Sequence, residues 1–197
     1  MNLYLRLLTT WFRTCFEQSI STRDSCEQWF RVWPNDIDAF LHMNNGRYLQ
    51  IMDVARFRWL QLTGALSVIR KKGWKVALGG NITRYRKALG AFAKFRVSSR
   101  LVCWDDRWFY LEHVFHAPDG RQVAAGVSRA AFRDRSGWVS TDEVMAHVEP
   151  GVDSAEMPAY LRNWLHVEED MYASAYGAAE IMNNRVGAGV IKDYAGE

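Results

Sequence analysis

Residues 36–63, DIDAFLHMNNGRYLQIMDVARFRWLQLT, set a polar loop against the clearest periodic stretch in the chain. Tyr48, Ile51, Met52, Ala55, Trp59 and Leu62 recur at helical spacing, while Arg47, Gln50, Arg58 and Gln61 fall on the opposite side. Asn44 or Asn45 is a good N-cap and Gly64 a good stop. The pattern predicts a helix over 45–63, about 28 Å long at the α-helical rise. Leu49, Val54, Phe57 and Leu60 spill beyond the stripe. A helix that is apolar nearly all round needs cover on several sides.

Outward from this helix, residues 27–35 (EQWFRVWPN) read as a strand stopped by Pro34. After the helix the chain reads as β, over 74–87, 92–104, 108–117 and 121–133. Asp105-Asp106 and Asp119-Gly120 supply turns, and Gly79-Gly80 suggests a bulge or a close approach. The expectation is one strand, one long helix and a four-stranded antiparallel meander, an α+β fold with helix on sheet. Ser140–Glu143 is a capping box that opens a short helix, and 155–175 read as another. Residues 176–197, rich in Gly and Ala, are expected to be a mobile tail. Three units follow: 1–22, 23–150 and 151–197.

Residues 3–20 read as an amphipathic helix. Leu3, Tyr4, Leu7, Leu8, Trp11, Phe12, Cys15 and Phe16 share an apolar arc, with Arg6, Thr9, Arg13 and Glu17 opposite. Arg6 and Arg13 break any run long enough to span a membrane, and no small-residue cleavage pattern follows, so neither a span nor a signal peptide is expected. The helix either packs on the domain or lies in a membrane interface, with Trp11 and Arg13 at headgroup level.

Of the 197 residues, 49% are apolar and 24% charged, which excludes disordered and fibrous classes. Nine Trp help raise aromatics to 14%, enough to fill a large core or line an apolar ligand site. Cys15, Cys26 and Cys103 share no close spacing. That pattern excludes a disulfide framework and fits a reducing compartment. The net charge of +3 hides an asymmetry: residues 1–140 hold 22 basic and 11 acidic side chains, residues 141–197 hold 3 and 11. The positive part attracts phosphates, nucleic acid or anionic lipid, and the acidic tail equally serves as its counter-charge. No nucleic-acid-binding module is recognisable, so no such partner is expected.

The loop and helix start, Asp36-Ile-Asp38-Ala-Phe-Leu-His42-Met-Asn44-Asn45-Gly-Arg-Tyr48-Leu49, continue to Asp53-Val-Ala-Arg56. This stretch resembles the signature of the 4-hydroxybenzoyl-CoA thioesterase-like branch of hotdog proteins, D-x-D-x-x-x-H-x-N-N-x-x-Y-L followed by E/D-x-A-R. It looks closest to the thioesterase superfamily member 6-like subgroup, which shares the string L-H-M-N-N. The resemblance spans about 27–145 and implies a hotdog fold, an antiparallel curved sheet wrapped round a long central helix, here with extra N- and C-terminal helices. It also implies hydrolysis of a fatty or aromatic acyl thioester of coenzyme A, or of an acyl carrier, to acid and thiol.

The residues suit that chemistry. A helix N-terminus offers unsatisfied N–H groups and a partial positive charge, which stabilise an oxyanion developing on a thioester carbonyl. A carboxylate beside it acts as nucleophile or activates water. By the resemblance the carboxylate is Asp38 and the donor the backbone N–H of Asn45. His42 is a candidate catalytic or substrate contact, and equally a loop hydrogen-bonding group. Asn44 is a cap and a candidate substrate contact. Tyr48 is on the buried stripe and is a further candidate. Asp36 reads as a turn residue, and Asp53 with Arg56 as an i,i+3 ion pair. Asp53 is also a rival carboxylate, placed roughly 12 Å from the helix start. Two departures from the family pattern stand out: Leu41 replaces the usual Gly, and Ala88 replaces Pro in Tyr85-Arg-Lys-Ala88-Leu89.

The resemblance puts coenzyme A phosphates near a dimer interface. Arg84, Arg86 and Lys87 are the candidate contacts, within a basic run continuing to Lys94, Arg96 and Arg100. No metal or cofactor is expected, since no second His or Cys has ligand spacing. The expected assembly is a homodimer or larger, cytoplasmic or peripheral to the inner face of the membrane through residues 3–20. Two rivals remain. A hydratase is disfavoured because G-D-x-N-P-x-H is missing; a non-catalytic acyl-lipid-binding or membrane-associated hotdog protein is favoured slightly by Leu41 and the N-terminus.

Overall fold

The structure is a computed structural model that describes residues 3–176. It divides into two units, Met1–Glu156 and Met157–Glu197. The second contains helix α5 (Ala159–Tyr176); the tail read as mobile over 176–197 lies, from residue 177, outside the described residues.

The first unit is built on a sheet and one long helix. Its elements run α1 (Leu3–Thr14), β1 (Cys26–Arg31), a 3-10 turn (Pro34–Asp36), α2 (Asn45–Leu62), α3 (Ala65–Lys72), β2 (Lys75–Tyr85), β3 (Lys94–Trp104), β4 (Phe109–His116), β5 (Gln122–Arg133), β6 (Trp138–Val139) and α4 (Thr141–Val148). All pairings are antiparallel, in the order β1-β3-β4-β5-β2, with β6 on the end of β5. This is the α+β hotdog arrangement, with α2 as the central helix.

The simple meander expected after α2 needs correction. β3, β4 and β5 form one, but β2 pairs with β5 at the far edge, not with β3. The linking segment makes no hairpin. It is held by other partners: the Arg86 and Lys87 N–H groups donate to the Val123 carbonyl, Leu89 O accepts from Met43 N, and Gly90 bridges His42.

α2 is covered in two halves. Tyr48, Ile51 and Met52 join Phe30, Phe95 and Phe115, whose rings stack at 5.6 and 5.9 Å. Trp59 and Leu62 join Trp74, Phe109, Phe132 and Met145. Contact is closest at Gly126, where a Cβ would lie 3.1 Å from the Met52 methyl and 2.9 Å from Thr83 Oγ1. The predicted Gly79-Gly80 irregularity is a bulge between Leu78 and Gly80, and the Trp108 ring sits where a Gly79 Cβ would go.

α1 is shorter than the predicted 3–20 and stops at Thr14. The chain tightens there into i→i+3 bonds, Phe16 N to Arg13 O and Glu17 N to Thr14 O, and Glu17 is drawn onto Arg58 of α2. The helix packs through Arg6, Thr10 and Thr14, which are buried, with Leu3 and Leu7 half-buried against the core, while Tyr4, Leu5, Leu8, Trp11 and Phe12 face solvent and so do Thr9 and Arg13. Among the described residues no helix is long and apolar enough to cross a membrane.

Candidate active site

The loop before α2 folds back on itself. Ile37 bridges Met43, Asp38 N donates to His42 O at 2.9 Å, and Asn44 N donates to Asp36 O at 2.8 Å. Asp38, His42 and the start of α2 are therefore held in one turn. Asn44 caps the helix, its side chain accepting from Gly46 N at 2.9 Å, while Arg47 N donates to Asn44 O. The Asn45 N–H has no acceptor among the described residues. It is an open donor at the positive end of an 18-residue helix.

Asp38 is half-buried. Its Oδ1 accepts from Phe40 N at 2.9 Å and, more distantly, His42 N at 3.5 Å. Oδ2 has no hydrogen-bond partner among the described residues. One oxygen shapes the turn and the other is open to a ligand.

Leu41, at the loop tip, has φ +63°, the left-handed conformation natural to the Gly usual in the family pattern. Leu41 therefore takes a backbone conformation that Gly adopts without strain. Phe40 and Leu41 are exposed, so the tip is apolar.

Asp36 is a structural anchor. It is 1% exposed, paired with the buried Arg6 of α1, and its Oδ2 also accepts from Trp33 N at 2.8 Å. Arg47 Nε lies 3.7 Å from its other oxygen and Arg47 Nη2 donates to Asn35 O, which ties the first turn of α2 to the loop. No partner for Asp36 was legible in the sequence, because Arg6 is thirty residues away and reads as a polar-face residue.

The remaining candidates separate. Tyr48 is a core residue, its ring edge-on to Tyr85 at 5.0 Å and beside Phe115 at 5.2 Å, and burial pushes its phenol up to about 12. It is buried away from solvent, so the substrate contact expected of it is not supplied by a free surface. Tyr85 Oη donates to Asn45 O at 3.3 Å and brings the end of β2 to the helix start. Arg84, Arg86 and Lys87 are exposed around that corner. The basic run does not form one patch: Arg96 and Arg100 lie on β3, at the other side of the sheet, paired with Glu27 at 2.9 Å and Glu112 at 2.7 Å. Asp53 pairs with Arg56 at 3.0 Å and is 53% exposed. Its guanidinium partner reaches under α2 to Ser128 Oγ, near a buried Ser99–His113 pair bonded at 2.8 Å. Burial and Arg56 push the His113 imidazole down to about 3, so it is a neutral core group. Among the described residues no cluster of His, Cys, Asp and Glu is arranged to hold a metal ion.

The sequence reading also missed Trp29, Arg31 and Trp33, which share one face of β1 and its extension and line a groove with Arg13. Their i, i+2, i+4 spacing was the available signal.

Known proteins match this architecture. The crystal structure of the probable thioesterase YbaW from Escherichia coli superimposes with a TM-score of 0.58 at 18% identity, over 61% of this chain and 93% of that one. SAV2348 from Staphylococcus aureus, solved in complex with CoA, gives 0.57 at 16% identity, over 74% and 96%. In sequence, Protein THEM6 of Xenopus laevis is 30% identical over 154 residues, 78% of this chain and 73% of that protein. The pattern of the Thioesterase-like superfamily matches residues 32–165, from the end of the first strand through the motif loop, α2 and the sheet. By that match and by the fold, the chain belongs to the thioesterase-like superfamily of hotdog proteins.

Proposed function

We propose that the protein is a thioester hydrolase that cleaves a fatty or aromatic acyl-CoA, or an acyl-carrier thioester, to free acid and thiol. The observation that carries the reading is the open Asn45 N–H set at the start of α2 in the same turn as Asp38, which keeps one free carboxylate oxygen. The thioester carbonyl oxygen accepts from the Asn45 N–H. As the carbonyl carbon becomes tetrahedral, the charge on that oxygen is met by the donor and the helix dipole. Asp38 either attacks the carbon, giving an anhydride that water then opens, or takes a proton from the attacking water. Both routes consume one water, break the C–S bond and release acid and thiol. His42 and Asn44 border the turn and contact the substrate, and Arg84, Arg86 and Lys87 meet the coenzyme A phosphates.

The site belongs to a homodimer in this reading. The cavity beneath α2 is about 30 Å³. Drug-sized ligands occupy pockets of roughly 300–1,000 Å³, so an acyl chain is not held in that cavity. β2 is an open edge bearing exposed Val76, Leu78, Ile82 and Tyr85, and a second copy paired there covers them and lies beside Asn45. The protein works in the cytoplasm, peripheral to a membrane through residues 3–20. YbaW is named a probable thioesterase and SAV2348 was solved with CoA, which supports the same substrate class here.

A second reading, a non-catalytic acyl-lipid-binding protein, is favoured by the Asp38 Oδ1 engaged in its own turn. Thiol release by purified protein across acyl-CoA chain lengths, with 4-hydroxybenzoyl-CoA included, separates the two. Turnover of at least one ester supports the hydrolase; saturable binding without thiol release supports the binding protein.

A further inference from the structure

The orientation of α1 is the reverse of a surface helix in a globular protein, which buries its apolar stripe and wets its polar one. Here Arg6, Thr10 and Thr14 are the buried residues of the helix, with Leu3 and Leu7 half-buried beside them. Arg6 pairs with Asp36, Thr10 Oγ1 accepts from Gln28 Nε2 at 2.6 Å, and Thr14 Oγ1 accepts from Arg58 Nη1 at 3.2 Å. Leu5, Leu8, Trp11 and Phe12, with Phe16 just beyond the helix, are left outward at 41–76% exposure. Anchored by buried polar bonds, the helix cannot roll to hide this face without breaking the Arg6–Asp36 pair.

Along one flank of α1 a groove of about 770 Å³ runs between the helix and the end of β1. Arg13, Arg31 and Lys94 line it together with Trp29 and Trp33, and none of its lining residues is acidic. An apolar ridge edged by Trp, Arg and Lys is the order of chemistries across one leaflet, acyl chains first and headgroups next. The cations select the charge of that leaflet.

We propose that the outward face of α1 and this groove dock the protein on an anionic phospholipid bilayer, with Leu5, Leu8, Phe12 and Phe16 in the acyl region and lipid phosphates seated against Arg13, Arg31 and Lys94. This rests on the reading of residues 3–20 as a membrane contact and adds the lipid class and the residues that choose it. Arg6 clamps the docking helix to Asp36, two residues before Asp38, which ties it to the motif loop. The thioester hydrolase reading is independent of it.

The test is cosedimentation of the full chain with phosphatidylcholine vesicles and with vesicles containing one-third phosphatidylglycerol, at low and high salt. Each basic residue near an anionic surface is worth roughly fivefold in partitioning. Wild type is therefore expected to bind the anionic vesicles at least about thirtyfold more tightly, with the preference falling as salt rises. Arg13→Glu/Arg31→Glu/Lys94→Glu should lose that preference, and Leu8→Glu/Phe12→Glu should lose binding to both vesicle types, each with an unchanged circular dichroism spectrum. Equal binding of wild type to both vesicles overturns the anionic selectivity while leaving the membrane contact standing. No binding to either overturns both. If Leu8→Glu/Phe12→Glu instead lowers the oligomer size by light scattering and vesicles are ignored, the face joins protein copies and the proposal is wrong.

Discussion

Leu41 carries the clearest local tension in the molecule. Its φ of +63° belongs to the left-handed region, where an L-residue pays roughly 1–2 kcal/mol that Gly does not. The side chain is 77% exposed, so truncation forfeits little burial. Leu41→Gly should raise stability by up to about 1 kcal/mol, after the extra freedom of Gly in the unfolded chain, whereas β-branched Leu41→Val should lower it. Urea midpoints of the two variants check this; a loss of stability in Leu41→Gly contradicts it. His113 makes the second residue-scale prediction. It is fully buried with Nδ1 on Ser99 Oγ, and its imidazole is held down to about 3 while the unfolded chain takes a proton near 6.5. Its contribution to stability therefore falls as pH falls from 6.5 toward 3, by about 1.4 kcal/mol per pH unit once well below 6.5. His113→Gln should remove about one proton from the slope of stability against pH between 6 and 4.5. An unchanged slope means the imidazole titrates freely in the folded protein.

At the scale of elements, α2 was legible because everything that defines it is local: period, Asn44 cap and Gly64 stop lie within one stretch, and the observed Asn45–Leu62 differs by one residue. The loop before α2 was legible as a polar turn for the same reason, since several of its bonds join residues 36–44 to one another, whereas its ties to Leu89 and Gly90 left no local trace. β2 pairing with β5 was not, because register between distant strands leaves no local trace. Neither was the neutralisation of Arg96 and Arg100 by cross-strand glutamates. α1 falls between: its arc was plain, but which side faces inward is decided by Asp36, thirty positions away. That anchor is testable. Arg6→Met leaves the Asp36 carboxylate buried with Arg47 Nε at 3.7 Å as its nearest cation, and should cost about 3–5 kcal/mol. Arg6→Met/Asp36→Leu should recover most of the loss, as replacing both ions by apolar groups commonly does. Chemical denaturation of the two variants decides it; equal losses would mean the pair does not act as a unit.

For the whole molecule, the open β2 edge with its exposed apolar side chains calls for a second copy. Light scattering should give at least twice the chain mass, and Ile82→Lys on the exposed side of β2 should yield folded monomer with little thioesterase activity; a fully active monomer contradicts the shared site. The central claim concerns the turn that joins Asp38 to the start of α2, and kcat for thiol release by Asp38→Asn tests it most directly. The amide keeps the size and the hydrogen bonds of the turn but is no anionic nucleophile and a very poor base. With folding verified, kcat should fall by at least about 10²–10⁴-fold while acyl-CoA affinity stays near wild type, and Asp36→Asn and Asp53→Asn should not match that fall. Near-wild-type kcat in Asp38→Asn together with an inactive Asp53→Asn would move the catalytic carboxylate onto the helix and contradict the account.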